Sequence, residues 1–167
     1  KGLCGAFNSN VLKEATSRME FFAANYPNAK VRMITIGKRA TEFFSKRGDF
    51  VVDSYDDMLD APEFDTIANL AESIMAQFCD KQYVRVELIY NQFKNSLTQI
   101  LTTEQFLPVV PCHEGEAAQK GMVSDYIFEP SKSEILREMV PLTLRSQFYR
   151  VILDSLAAEH GARMTAM

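Results

Sequence analysis

The longest periodic pattern in the chain is its last. After Glu129-Pro130-Ser131, apolar residues recur every four positions: Leu136, Val140, Leu144, Phe148, Ile152 and Leu156. A four-residue spacing does not match the 3.6-residue helical turn, so this stripe winds around the helix instead of holding one face. The pattern predicts one helix from Ser131 to Met167, about 55 Å long at the usual rise per residue. Ser131 and Glu134 form a capping box at its start. Pro141 lies inside it and removes one backbone hydrogen bond at a cost of about 3 kcal/mol, which predicts either a kink or a true break there. No stop signal precedes Met167. The helix is expected to need partners on more than one side and to continue in a longer parent chain.

The earlier patterns are shorter. Gly2-Leu3-Cys4-Gly5-Ala6-Phe7-Asn8 reads as a strand end turning into a helix capped by Asn8 or Ser9, with Val11, Leu12, Ala15, Met19, Phe22 and Ala23 on one face. Val31 to Ile36 reads as a strand, Ala40 to Lys46 as a short helix and Phe50 to Val52 as a strand. An acidic loop, 53–63, leads to an amphipathic helix carrying Ile67, Leu70, Ala71, Ile74, Met75 and Phe78. Val84 to Tyr90 alternates like a strand, Asn91 to Ser96 reads as a turn, and Leu97 to Leu107 as its antiparallel partner. Pro108 and Pro111 open a connector of low information. Strands alternating with helices predict an α/β fold: a mainly parallel, Rossmann-like sheet with flanking helices and an antiparallel edge, plus the long C-terminal coiled-coil helix. The expected division is a globular domain over 1–128 and the helix over 129–167.

Composition narrows the function. An apolar content of 47% allows a packed core in a chain of 167 residues, and a net charge of −4 makes no case for nucleic acid. The charge is split along the chain: residues 1–48 carry nine Lys or Arg and three acids, whereas 49–80 carry nine acids and no Lys or Arg. This describes either solvated helix faces or a surface with a positive and a negative end. Cys4, Cys79 and Cys112 are odd in number and far apart, which argues against zinc and for a reducing compartment. Cys112 beside His113 reads as a neutral loop thiol. No apolar run approaches the ~20 residues that span a bilayer, and no signal peptide is visible. The chain starts without Met, inside motif-like sequence, and reads as a piece of something longer.

Candidate chemistry is sparse. Gly2-x-x-Gly5 lacks the further glycines and the lysine of a phosphate or dinucleotide loop. Gly37-Lys38-Arg39 after a strand could hold an anion near a helix start, or be a solvated turn. Asp53, Asp56, Asp57, Asp60, Glu63 and Asp65 lack the spacing of a calcium loop, and acids are favoured near the start of the following helix anyway. His160 has no nucleophile or base near it in sequence and reads equally well as a register-setting residue in a helix seam. No catalytic residue, cofactor or metal is expected. The alternative is an α/β enzyme domain binding a nucleotide or phosphate on the Gly2–Gly5 loop.

Three stretches carry a resemblance. Gly2-Leu3-Cys4-Gly5-Ala6-Phe7-Asn8 resembles the GLCGxFN segment of the gamma subunit of F-type ATP synthases. Ala157-Ala158-Glu159-His160-Gly161-Ala162-Arg163-Met164-Thr165-Ala166-Met167 is similar to its SEHAARMxAM signature, and Leu88-Ile89-Tyr90-Asn91-Gln92-Phe93-Lys94-Asn95 to its VYNxFKN strand and turn. The resemblance implies a rotor: a central stalk whose α/β domain lies between the catalytic head and the membrane ring, with N- and C-terminal helices paired as an antiparallel coiled coil inside the head. It implies no bond chemistry in this subunit. The implied partners are the alpha, beta and epsilon subunits and the ring of c subunits, at the cytoplasmic side of a bacterial plasma membrane. The family's N-terminal helix and the strand before Gly2 are absent here, as is the plastid form's dithiol insert near Cys112. The implied shaft-interface residues are Leu144, Phe148, Ile152, Leu156, His160, Arg163 and Met167.

Overall fold

The computed structural model describes residues 6–48, 50–109 and 132–166, with side chains in the last stretch from Arg137 on. The elements are α1 (Phe7–Asn25), β1 (Met33–Ile36), α2 (Lys38–Ser45), β2 (Val51–Tyr55), α3 (Phe64–Cys79), β3 (Val86–Asn95), β4 (Thr98–Leu107) and α4 (Lys132–Thr165). β1 and β2 are parallel, with Met33 opposite Val51 and Ile36 opposite Tyr55, and α2 makes the crossover between them. β3 and β4 are antiparallel, with Glu87 opposite Gln105 and Phe93 opposite Gln99. The parallel pairing, the antiparallel pairing, the flanking helices and the long final helix all occur as expected. Among the described residues the two pairings are separate two-stranded ladders rather than one hydrogen-bonded sheet.

Several boundaries differ from the sequence reading for physical reasons. α1 begins at Phe7 with Ala6 as its cap residue and no side-chain cap, so Asn8 and Ser9 lie inside the first turn. The Ser9 hydroxyl donates back to the Ala6 carbonyl at 2.9 Å instead of capping an amide. α2 starts at Lys38, two residues early, because Gly37 turns the chain with φ +100°, a value that favours glycine. A Cβ at Gly37 would also stand 3.0 Å from Leu59 Cδ1. β3 runs through Asn91 and Gln92 to Asn95. Asn91 reads as a turn residue, but it is buried and its amide donates to the Phe7 carbonyl at 3.3 Å, so a tertiary partner keeps it in the strand. The true turn is Ser96-Leu97, where Asn95 Oδ1 accepts the amides of Leu97 at 3.0 Å and Thr98 at 2.7 Å. α4 is continuous through Pro141, so the helix is not broken there. Its capping box, the Gly2–Gly5 segment, Cys112, His113 and the boundary expected near residue 128 lie outside the described residues.

One core joins most of these elements. Met58, Ile67, Leu70, Ala71 and Ile74 meet Phe106 and Leu107 of β4 and Leu144, Phe148 and Ile152 of α4. Ile67, Leu70, Ala71 and Ile74 are the stripe that the sequence assigns to α3, and its spacing of three and four residues puts them on one face. Phe106 is 1% exposed and its ring centroid lies 5.5 Å from that of Phe148. α3 and α4 run against each other, with Phe64 edge-on to Tyr149 at 5.2 Å and Glu72 paired to Arg145 at 2.7 Å. On the other side, Arg18 of α1 makes a forked bond to Glu87 of β3 at 2.6 and 3.0 Å, while its guanidinium covers Phe21 and Phe22. Arg85 shares the same carboxylate at 2.8 Å.

Two predictions follow from this packing. Phe106→Ala empties the junction between β4 and α4 and should cost about 3–5 kcal/mol in urea unfolding, against under ~1.5 kcal/mol for an apolar swap of similar volume such as Phe106→Met. Tyr90, buried on β3, donates to Glu104 at 3.4 Å. Burial first, and the Glu104 charge second, push its phenol from 10.0 up to about 12. A raised pKa in the folded state favours the protonated form, so this contribution to stability is complete below pH 10 and disappears as pH rises through about 12. Ultraviolet titration should show one late-ionising tyrosine that disappears in Tyr90→Phe, whose stability should change less over that window.

Candidate functional site

The terminal helix carries the candidate site, and its faces divide by what they touch. Leu144, Phe148 and Ile152, placed on the shaft interface by the sequence reading, are buried in the chain's own core against α3 and β4. Leu156 is half-buried. His160 and Arg163 are exposed, and Arg163 pairs with Glu159 one turn earlier. Met167 lies outside the described residues. The first three thus fasten the helix to the body, while His160 is exposed and Arg163 lies at the wall of the groove described below.

The outward side carries a different apolar row. Met139, Leu142, Leu153 and Met164 are exposed. Leu142, Leu153 and Met164 follow one another at eleven residues, which is three helical turns, so they form a line along one side of the helix. The four-residue spacing in the sequence drew attention to the inner residues. The eleven-residue spacing was the available signal for the outer ones. An exposed line of large apolar side chains on a helix whose opposite side is already packed has the form of a contact surface.

The basic turn and the acidic loop are joined. The Lys38 ammonium lies 3.0 Å from Asp57 and 3.2 Å from Asp60. The hydrogen bonds it donates to these two carboxylates, Asp57 first, raise its pKa. Thr41 donates to Asp56 at 2.6 Å, so Thr35, 2.9 Å away, donates to Thr41. Lys38 is thus committed to the acids of its own chain at the start of α2. The positive and negative blocks of the sequence meet at this point. Asp53 and Asp65 are exposed, and Glu63 is the cap residue of α3 without a side-chain cap bond. Among the described residues no three His, Cys, Asp or Glu side chains converge as a metal site would require. Cys79 is exposed as a free thiol. No described helix is long and apolar enough to cross a membrane.

A groove of about 1800 Å³ separates the two strand pairs. Its walls include Met33 to Ile36 of β1 and Glu87 to Tyr90 of β3, with Phe22 of α1 and Phe148 of α4. Among the described residues, β1 pairs only with β2 and β3 only with β4. Among the described residues each strand therefore has one edge without a ladder partner.

A family model described as ATP synthase matches residues 1–167. The chain is 46% identical over its full length to an ATP synthase gamma chain of Flavobacterium psychrophilum, of which it covers 56%. It is 40% identical to the gamma chain of Chlorobium limicola, again over all of this chain and 56% of the relative. The chain therefore spans little more than half the length of these relatives. Its fold is similar to a central-stalk chain of the Tetrahymena thermophila mitochondrial ATP synthase, with a TM-score of 0.69 at 26% identity, covering 99% of this chain and 70% of that one. A rotor chain of the Euglena gracilis enzyme shares the fold, with a TM-score of 0.57 at 18% identity over 99% of this chain and 61% of that one. The full-length family match, together with a long helix fastened along one side to an α/β body, identifies this chain as a member of the ATP synthase gamma-chain family.

Proposed function

We propose that the chain is the body and part of the shaft of a central-stalk rotor, coupling proton flow through a membrane ring to ATP synthesis or hydrolysis in an alpha/beta head. The observation that carries this reading is the two-sided final helix. One side, Leu144, Phe148 and Ile152, is fixed to the body, and the other, Leu142, Leu153 and Met164, is apolar and uncovered. A part that passes rotation from one assembly to another requires both properties. In this reading the subunit does no bond chemistry and holds no cofactor. Its partners are the alpha, beta and epsilon subunits and the c-subunit ring, and it lies peripherally at the cytoplasmic side of a bacterial plasma membrane. The outward row, with His160 and Arg163, meets the N-terminal helix of the same subunit.

The same reading accounts for the groove. The family resemblance includes a strand before Gly2, and a strand between β1 and β3 would join the two ladders into one sheet and cover apolar wall residues such as Ile34 and Leu88. In a longer chain carrying that segment, hydrogen exchange at the β1 and β3 amides should be slower than in residues 1–167 alone. Equal exchange in the two chains argues against insertion.

Co-expression of the full-length chain with alpha and beta subunits tests the function. Recovery in an ATP-hydrolysing complex is the expected result, and absence from that complex overturns the reading. Leu153→Glu and Met164→Glu should each destabilise the full-length chain by the ~1.5–3 kcal/mol of apolar burial lost against its N-terminal helix, read by urea unfolding, with little effect on the thermal stability of residues 1–167 alone.

A further inference from the structure

The large core side chains of α4 end at Ile152. Beyond it the buried residues are small: Ala158, Gly161 and Ala162. Gly161 faces the tip of the β3–β4 hairpin. A Cβ at Gly161 would stand 3.3 Å from Phe93 Cε2 and 3.4 Å from both Cα and the carbonyl oxygen of Ser96. A methyl group there would touch the Ser96 backbone and need the Phe93 ring to yield by a few tenths of an ångström, so the helix and turn are in close approach at Gly161 and a larger branched side chain would push them apart. Four residues on, the Thr165 hydroxyl lies 3.2 Å from the Ser96 carbonyl and 2.6 Å from the Gly161 carbonyl, one proton shared between two acceptors. The tip is itself held, because Asn95 Oδ1 accepts the amides of Leu97 and Thr98.

We propose that the hairpin tip is a brace that sets the angle of the C-terminal part of α4 relative to the body, with Gly161 and Thr165 as its positioning residues. The inference rests on the rotor reading for its purpose but not for its geometry. Apolar contacts are non-directional, and small residues make few of them. Over the stretch from Ile152 to Thr165, about 20 Å of helix, the rotational setting depends on shape fit at Gly161 and on the hydrogen bond to Ser96. In a shaft this setting decides how much rotation of the body reaches the far end. The brace holds the helix by its buried side and leaves Met164 and Leu97, 74% and 78% exposed, free for other contacts.

Two measurements on the full-length chain test the proposal. Nitroxide labels at Leu97→Cys and Ala166→Cys, both exposed, with Cys4, Cys79 and Cys112 replaced by serine, report the distance between tip and helix by pulsed electron paramagnetic resonance. A single narrow distribution is expected, broadened by Gly161→Val. A broad distribution in the parent chain overturns the brace, whatever the protein's function. In the complex with alpha and beta subunits and the membrane ring, the second measurement is protons pumped per ATP hydrolysed. Gly161→Val and Thr165→Val should each lower this ratio below that of the parent chain, and Thr165→Ser should restore it. An unchanged ratio in both valine variants overturns the proposal, as does a loss that Thr165→Ser fails to restore. If Gly161→Val does not accumulate, the Thr165 pair decides alone. A chain that never enters the complex sinks the rotor reading instead, and the brace is then judged on the distances.

Discussion

The structure depends on the contact between Phe106 and Phe148. It joins a strand of the hairpin to the terminal helix, and the stripe of α3 closes over the same place. Without it α4 would be an amphipathic rod with no fixed relation to the body. With it the helix has an inside and an outside. A helix of 34 residues gains its orientation from a short stretch of dense packing, because close-packed side chains tolerate little displacement. Beyond that anchor the helix meets the hairpin tip at Gly161 and Thr165.

Polar contacts refine what the core holds. Glu72 and Arg145 link α3 to α4, and Gln147 reaches Glu104, which also accepts from Tyr90. These bonds have direction, so they oppose rotation of the helix in a way that apolar burial does not. Arg18 does the same for α1, with its forked bond to Glu87 and its cover over two phenylalanine rings. Each fastener lies beside an apolar contact rather than replacing one, consistent with the modest net energy of a single hydrogen bond.

The two ladders show how a fold can be legible by element and still not by assembly. The parallel and antiparallel pairs match the alternation of strand and helix in the sequence. Their separation by a wide groove does not, because pairing between β1 and β3 is a long-range property that period-two patterning does not encode. Both strands nevertheless line the same groove, which fits one α/β body.

The sequence by itself determined the helices, their apolar faces and the family. Spacing along α3 put Ile67, Leu70, Ala71 and Ile74 on one side because helical geometry is local, and the end motifs around Phe7 and Gly161 are specific as strings of residues. It did not determine which side of α4 is bound. Leu144 and Leu142 are equally apolar, yet one is in the core and the other in solvent. It also misplaced the hairpin turn, since Asn91 and Asn95 are the same residue type and only the Phe7 carbonyl near Asn91 distinguishes them. In each case the deciding partner is far away in sequence. Local pattern proposes the surfaces, and tertiary contact alone selects which of them are used up in folding and which stay exposed.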